Sequence, residues 1–125
     1  QPGITFVGFV PDLAGLYSSC SAAIAPIISG SGTSVKVMEA IAAGVPCVST
    51  VQGFRGYIEE VQKHLPFLLA TDASDFADKM LRLADTTERV QISQLCRSFG
   101  TANWSQEAVS TAVANAIHLL LREPA

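Results

Sequence analysis

The sequence has no basic cluster. Its 8 Lys and Arg stand against 11 Asp and Glu, a net charge of −3. Nucleic acid and anionic bilayers bind through concentrated positive charge, so neither is expected as a main partner. Cysteine is sparse and odd in number: Cys20, Cys47 and Cys96 lie far apart among apolar neighbours. That predicts reduced, buried thiols in a cytoplasmic protein rather than a disulfide framework. No Cys/His spacing fits a metal site, so no metal is expected. No segment reads as a signal peptide, and no apolar run reaches the roughly 18 residues needed to span a bilayer. An initiator Met is also lacking. The chain opens on Gln1-Pro2-Gly3 almost directly into an apolar run and reads as a fragment of a longer polypeptide.

What is present supports one domain over residues 1–125, because an apolar fraction of 49% is enough for a core. Ile4-Thr5-Phe6-Val7, ended by Gly8, predicts a strand, and Pro11-Asp12 opens a short helix over 13–19. Residues 22–27 form an unbroken apolar run, as expected of a parallel strand covered on both faces. A small-residue loop follows and leads into a helix with Thr33 or Ser34 as N-cap, which Gly44 and Pro46 end. Residues 46–50 predict another strand, 53–56 a loop, 57–63 a short helix and 67–69 a fourth strand. This alternation predicts an α/β doubly wound parallel sheet, Rossmann-like, with helices after it. Three apolar stripes in those helices are expected in the core: Phe76, Met80, Leu83 and Ala84; then Ile92, Leu95, Cys96 and Phe99; then Val109, Val113, Ala116, Ile117 and Leu120. Asp85-Thr86-Thr87-Glu88 has the form of a capping box.

Charge and backbone donors gather in one place, Pro26-Ile27-Ile28-Ser29-Gly30-Ser31-Gly32-Thr33-Ser34-Val35-Lys36-Val37-Met38-Glu39-Ala40. Glycines let a backbone approach a ligand, and a helix start offers unpaired N–H groups to an anion. On the helix, Val35, Met38 and Ile41/Ala42 are expected to face the sheet, which turns Lys36, Glu39 and Ala43 outward. The amides of 30–34 could donate to phosphate or sugar hydroxyls, Lys36 could neutralise phosphate, and Glu39 could accept from the two hydroxyls of a ribose. The competing reading is an ordinary exposed helix pair, worth a few tenths of a kcal/mol. The loop is not a Walker A motif, since no Gly-Lys-Ser/Thr follows. It lacks the third glycine of the dinucleotide fingerprint.

The pattern Gly30-x-Gly32-x3-Lys36-x2-Glu39-Ala40-x3-Gly44-x-Pro46, followed by Val48-x-Thr50, resembles the signature of retaining GT-B glycosyltransferases of the group 1 (GT4) family. The flanks agree: Val7-Gly8-Phe9-Val10-Pro11-Asp12-Leu13 with Leu16-Tyr17, the 22–26 run, and Trp104-Ser105 at the start of a final helix are similar to that family. The resemblance implies the donor-binding C-terminal half of a two-domain enzyme moving a hexose from a nucleotide diphosphate sugar. It implies retention of configuration and needs no metal or other cofactor. Glu39 would bind the ribose, the loop of Gly30, Ser31, Gly32 and Thr33 would lie against the diphosphate and sugar, and Lys36 matches a commonly basic position. The acceptor-binding N-terminal domain, and the strand-helix unit with the family's diphosphate-binding Arg/Lys pair, are not in this sequence, so the fragment alone is expected to be inactive. A lipid-linked acceptor would give the whole enzyme a peripheral membrane contact.

Two positions depart from the family. The first of its two glutamates, which have seven residues between them, falls on Ser31, and a related variant's Arg falls on Ile28. No catalytic residue is assigned. The lost acid leaves open a non-catalytic nucleotide- or sugar-binding α/β module, and architecture alone would also fit an unrelated flavodoxin-like domain. Arg55 reads as a solvated loop residue able to approach the same cleft. His64 and His118 read as surface or packing residues, and Trp104 as an anchor for the last helix.

Overall fold

The apolar runs around Ile24 and Val48 become neighbouring parallel strands because a helix between them carries the chain back. In this computed structural model, which describes residues 2–122, α1 (Leu13–Ser19) precedes β1 (Ala23–Ala25), and α2 (Val35–Ala42) crosses to β2 (Cys47–Thr50). Then α3 (Ile58–His64) and a 3-10 turn (Pro66–Leu68) lead to β3 (Leu69–Ala70). The chain continues as α4 (Ala73–Arg82), α5 (Thr86–Trp104) and α6 (Gln106–Arg122). The sheet order is β1-β2-β3, all parallel, with Ala23 opposite Cys47, Ala25 opposite Ser49 and Thr50 opposite Ala70.

β2 is the buried centre. Cys47, Val48 and Ser49 are consecutive and each at most 2% exposed, so both faces of the strand are covered. Both α2 and α4 pack on it, which gives the small sheet its doubly wound, partly Rossmann-like character. Val37 and Ile41 of α2 meet Val48, Phe54, Leu65 and Leu68 in the core. Helix α5 lies along α2, and a Cβ at Gly100 would come within 2.7 Å of Ala42 Cα. The end of α2 is a Schellman turn: Gly44, at φ 78°, donates to Ile41 O at 2.9 Å, and Val45 donates to Ala40 O at 2.9 Å.

Several expectations are corrected. Residues 4–7 form no strand, and Phe6 and Phe9 are 95% and 90% exposed, because no described strand lies beside them to pair. β1 is covered less than its apolar run predicts. Ile24 is 53% exposed, since α4 packs on β2 and β3. Pro66 at the first position starts a 3-10 turn over 66–68, so the strand expected at 67–69 is shifted to Leu69–Ala70; with no strand at 4–7, three described strands form rather than four. The stripe of Val109, Val113, Ile117 and Leu120 is exposed: periodicity says which residues share a face, not that anything covers it. Ala116 of that stripe is exposed too, as are Met80, Ala84 and Leu95 of the others, while Leu83, Ile92, Cys96 and Phe99 are buried. Cys20 is exposed, unlike Cys47 and Cys96. No described helix is long and apolar enough to cross a membrane.

Candidate functional site

The last residues of β2 fix how the chain leaves β1. Ser49 Oγ donates to Ala25 O at 2.7 Å, and Thr50 Oγ1 donates to Ile27 O. The loop that follows Ile28 therefore starts from a fixed point at the carboxyl end of the sheet, where open α/β sheets bind ligands. Within it, Gly30 takes φ 138°, a conformation that side-chain-bearing residues rarely adopt.

The loop is held by its carbonyls. Gln52 Nε2 donates to Gly30 O at 2.7 Å, Arg55 Nη1 donates to the same oxygen at 2.9 Å, and Arg55 Nη2 donates to Gly32 O at 3.0 Å. Tyr57 Oη donates to Ser34 O at 3.2 Å. By contrast, no described residue accepts from the backbone amides of Gly30, Ser31, Gly32, Thr33 or Ser34. Ser34 is the N-cap of α2 by position, as expected, but its side chain makes no capping bond. The first amides of the helix are open to a ligand as well.

Gly30, Ser31, Gly32 and Thr33 are all exposed, and so are Lys36 and Glu39 on the outward face of α2. Among the described residues, Lys36 and Glu39 form no ion pair with each other or with any other group. Their exposure fits both a ligand-facing pair and an ordinary solvated one. The buried face of α2 is rotated from the expected one: Val37, Ala40 and Ile41 are buried, Val35 and Ala42 are exposed and Met38 is half-buried. A short helix with apolar residues on most sides gives periodicity little to select between. Lys36 and Glu39 stay outward under either assignment. Burial, and after it the Glu39 carboxylate, pushes the Tyr17 phenol of α1 upward.

A cleft of about 500 Å³ also opens at the strand ends, lined by Ile27, Ile28, Thr50, Gln52, Thr71 and Phe76 among others. It meets the loop at Gln52 and does not include Lys36 or Glu39. Its polar groups are already engaged. Thr50 bonds Ile27 O, Thr71 bonds Asp75, and Asp72 caps α4. The cleft offers apolar wall, and the groups suited to an anion lie on the loop and α2.

Other candidates are structural. Burial pushes the thiols of Cys47 and Cys96 up to about 12, so both are protonated at neutral pH and neither can act as a thiolate. His64 sits 3.5 Å from Glu60 and 5.8 Å from the Phe99 ring centroid, a packing position. Trp104 is an anchor, edge-on to Tyr57 at 5.4 Å and to Phe99 at 5.2 Å. It ends α5 rather than starting the last helix, which Ser105 caps through Ala108 N. Arg55 is exposed, but it is bound to the loop and not merely solvated. Sequence spacing missed it because its partners lie more than twenty residues away. The only local signal was its place between Gly53 and Gly56.

The arrangement is a row of open N–H donors at a positive helix end, with one cation and one carboxylate beside it. It suits an anion joined to a polyol. A family model for Glycosyl transferases group 1 matches residues 1–86, taking in all three strands, the loop and α2, and ending at the first residue of α5. No curated protein and no solved structure matches the chain.

Proposed function

The chain belongs to the group 1 glycosyl transferases, and we propose that it forms the donor-binding part of such an enzyme, moving a hexose from a nucleotide diphosphate sugar with retention of configuration. The observation that carries this reading is the asymmetry of the 30–34 loop. Its carbonyls are taken by Gln52, Arg55 and Tyr57, while its amides stay open beside the uncapped start of α2.

As the bond from the anomeric carbon to the diphosphate lengthens, negative charge grows on the leaving phosphate. Fixed amides of 30–34 and the positive end of α2 oppose that charge without reorganising, and Lys36 adds a full one. Glu39 accepts from the ribose hydroxyls and so holds the nucleotide in register with the loop. An acceptor-binding domain and a further basic pair are expected elsewhere in the same polypeptide, so these 125 residues alone should not turn over. The setting is cytoplasmic, with membrane contact only through a lipid-linked acceptor.

Glu39→Gln in the full-length enzyme tests the assignment. Losing charge-assisted hydrogen bonds should raise the donor KM about tenfold or more. Unchanged kinetics, after a screen of UDP-, GDP-, ADP- and CDP-sugars has identified the donor, would sink it. Ser31, where the family often carries an acid, favours a second reading: a module that holds the nucleotide sugar without turnover. A full-length protein that binds a nucleotide sugar but neither hydrolyses nor transfers it would select that reading.

A further inference from the structure

We infer that Arg55 is the positioning residue of the donor loop: its guanidinium fork, backed by Gln52, sets the direction in which the loop amides point. This rests on the donor-site reading above. In a trans peptide the C=O of one residue and the N–H of the next lie in one plane and point opposite ways. The described chain has no cis peptide bond. Arg55 and Gln52 draw Gly30 O toward the 52–57 segment, so the N–H of Ser31 points away from it. Arg55 draws Gly32 O the same way, which turns out the N–H of Thr33. The next plane is set by α2 itself: Ser34 O accepts from Val37 N at 3.2 Å and Met38 N at 3.3 Å, with Tyr57 Oη as a further donor.

Two alternate peptide planes of the loop are thus locked in one sense from a single neighbouring segment. Without the clamp, ψ at Gly30 and Gly32, unhindered by a Cβ, would let those planes rotate and turn carbonyl oxygens toward an arriving phosphate. Arg55 serves through geometry and also through charge. Its cation sits behind the loop on the carbonyl side and reinforces the dipoles that face the ligand. A lysine could supply the charge but not the two-pronged contact that spans Gly30 O and Gly32 O.

The test uses the full-length enzyme, with inorganic pyrophosphate as a competitive probe of the loop. Arg55→Ala should lower kcat/KM for the donor about 10- to 100-fold, the scale set by losing preorganised donors. It should weaken pyrophosphate inhibition in parallel and leave the ligand-free melting temperature nearly unchanged. Methylguanidine at millimolar concentration should restore part of the activity, and Arg55→Lys should restore less than half of the logarithmic loss. A purely structural role would move the melting temperature and show no rescue, which overturns the inference. If Arg55→Ala leaves donor kinetics and pyrophosphate inhibition intact while Glu39→Gln impairs them, the clamp falls and the donor site stands. If neither substitution has an effect, both fall.

Discussion

The starts of α2 and α5 meet the same requirement in opposite ways. Each helix begins with amides that have no partner within it. At α5, Asp85 accepts from Glu88 N at 2.9 Å, and Arg89 reaches back to Leu83 O at 2.9 Å and Ala84 O at 3.2 Å, so the junction with α4 is closed on itself. At α2, the capping position holds Ser34, whose side chain makes no capping bond, and the preceding loop leaves its amides open. The α2 start follows the carboxyl end of β1, whereas the α5 start follows another helix, α4. The contrast teaches that an uncapped start is informative only where the neighbouring backbone is held open by something else. Here that something is the trio of Gln52, Arg55 and Tyr57.

The most direct way to break the contrast is to give α2 the cap that α5 has. Ser34→Asp would place a carboxylate where the diphosphate charge is expected, and donor affinity should fall on the order of 100-fold. The same change should raise stability by about 0.5–1 kcal/mol, because a cap is supplied where none existed. Opposite signs in a donor titration and a thermal melt are the expected outcome. An unchanged donor KM would mean that the α2 start does not face the anion. The reciprocal change, Asp85→Ala, should cost about 1 kcal/mol, read as a drop of roughly 4 °C in melting temperature, and leave the donor KM alone. A change in donor KM there would show that the two starts are coupled through the packing of α5 on α2.

The α5 start was legible in the sequence because capping is local: Asp85 and Glu88 are three residues apart, and nothing distant decides the outcome. The outward position of Lys36 and Glu39 and the turn at Gly44 were legible for the same reason. What escaped depends on contacts that are not local. Among the described residues, the 4–7 run has strand composition but no strand beside it, and the α6 stripe has helical periodicity but stays exposed. Arg55 is the converse case. Its local surroundings read as solvent, and its hydrogen bonds go to carbonyls 23 and 25 residues earlier.

A third helix start sharpens the contrast through pH. At α4, Asp72 accepts from Asp75 N, and Asp75 in turn accepts from Thr71 N at 2.9 Å and Thr71 Oγ1 at 3.2 Å and pairs with Lys79. The hydrogen bond from Lys79, then the one from the Thr71 backbone, holds the Asp75 carboxyl below its ordinary value of 3.8. A carboxyl depressed by folding contributes stability that is fully present above its unfolded pKa and is lost as pH falls through the folded value. The gap in melting temperature between the native protein and Asp75→Asn should therefore be constant from pH 7 to about 5 and close as pH drops below about 3.8. The effect should be smaller than the loss of the Asp85 cap, because an i,i+4 ion pair on a helix contributes less than an N-cap. A gap that persists to pH 2 would mean that Asp75 acts through shape and not charge. The first turn of α2 carries no acidic residue, so acid should loosen the closed start of α4 before it changes the open one.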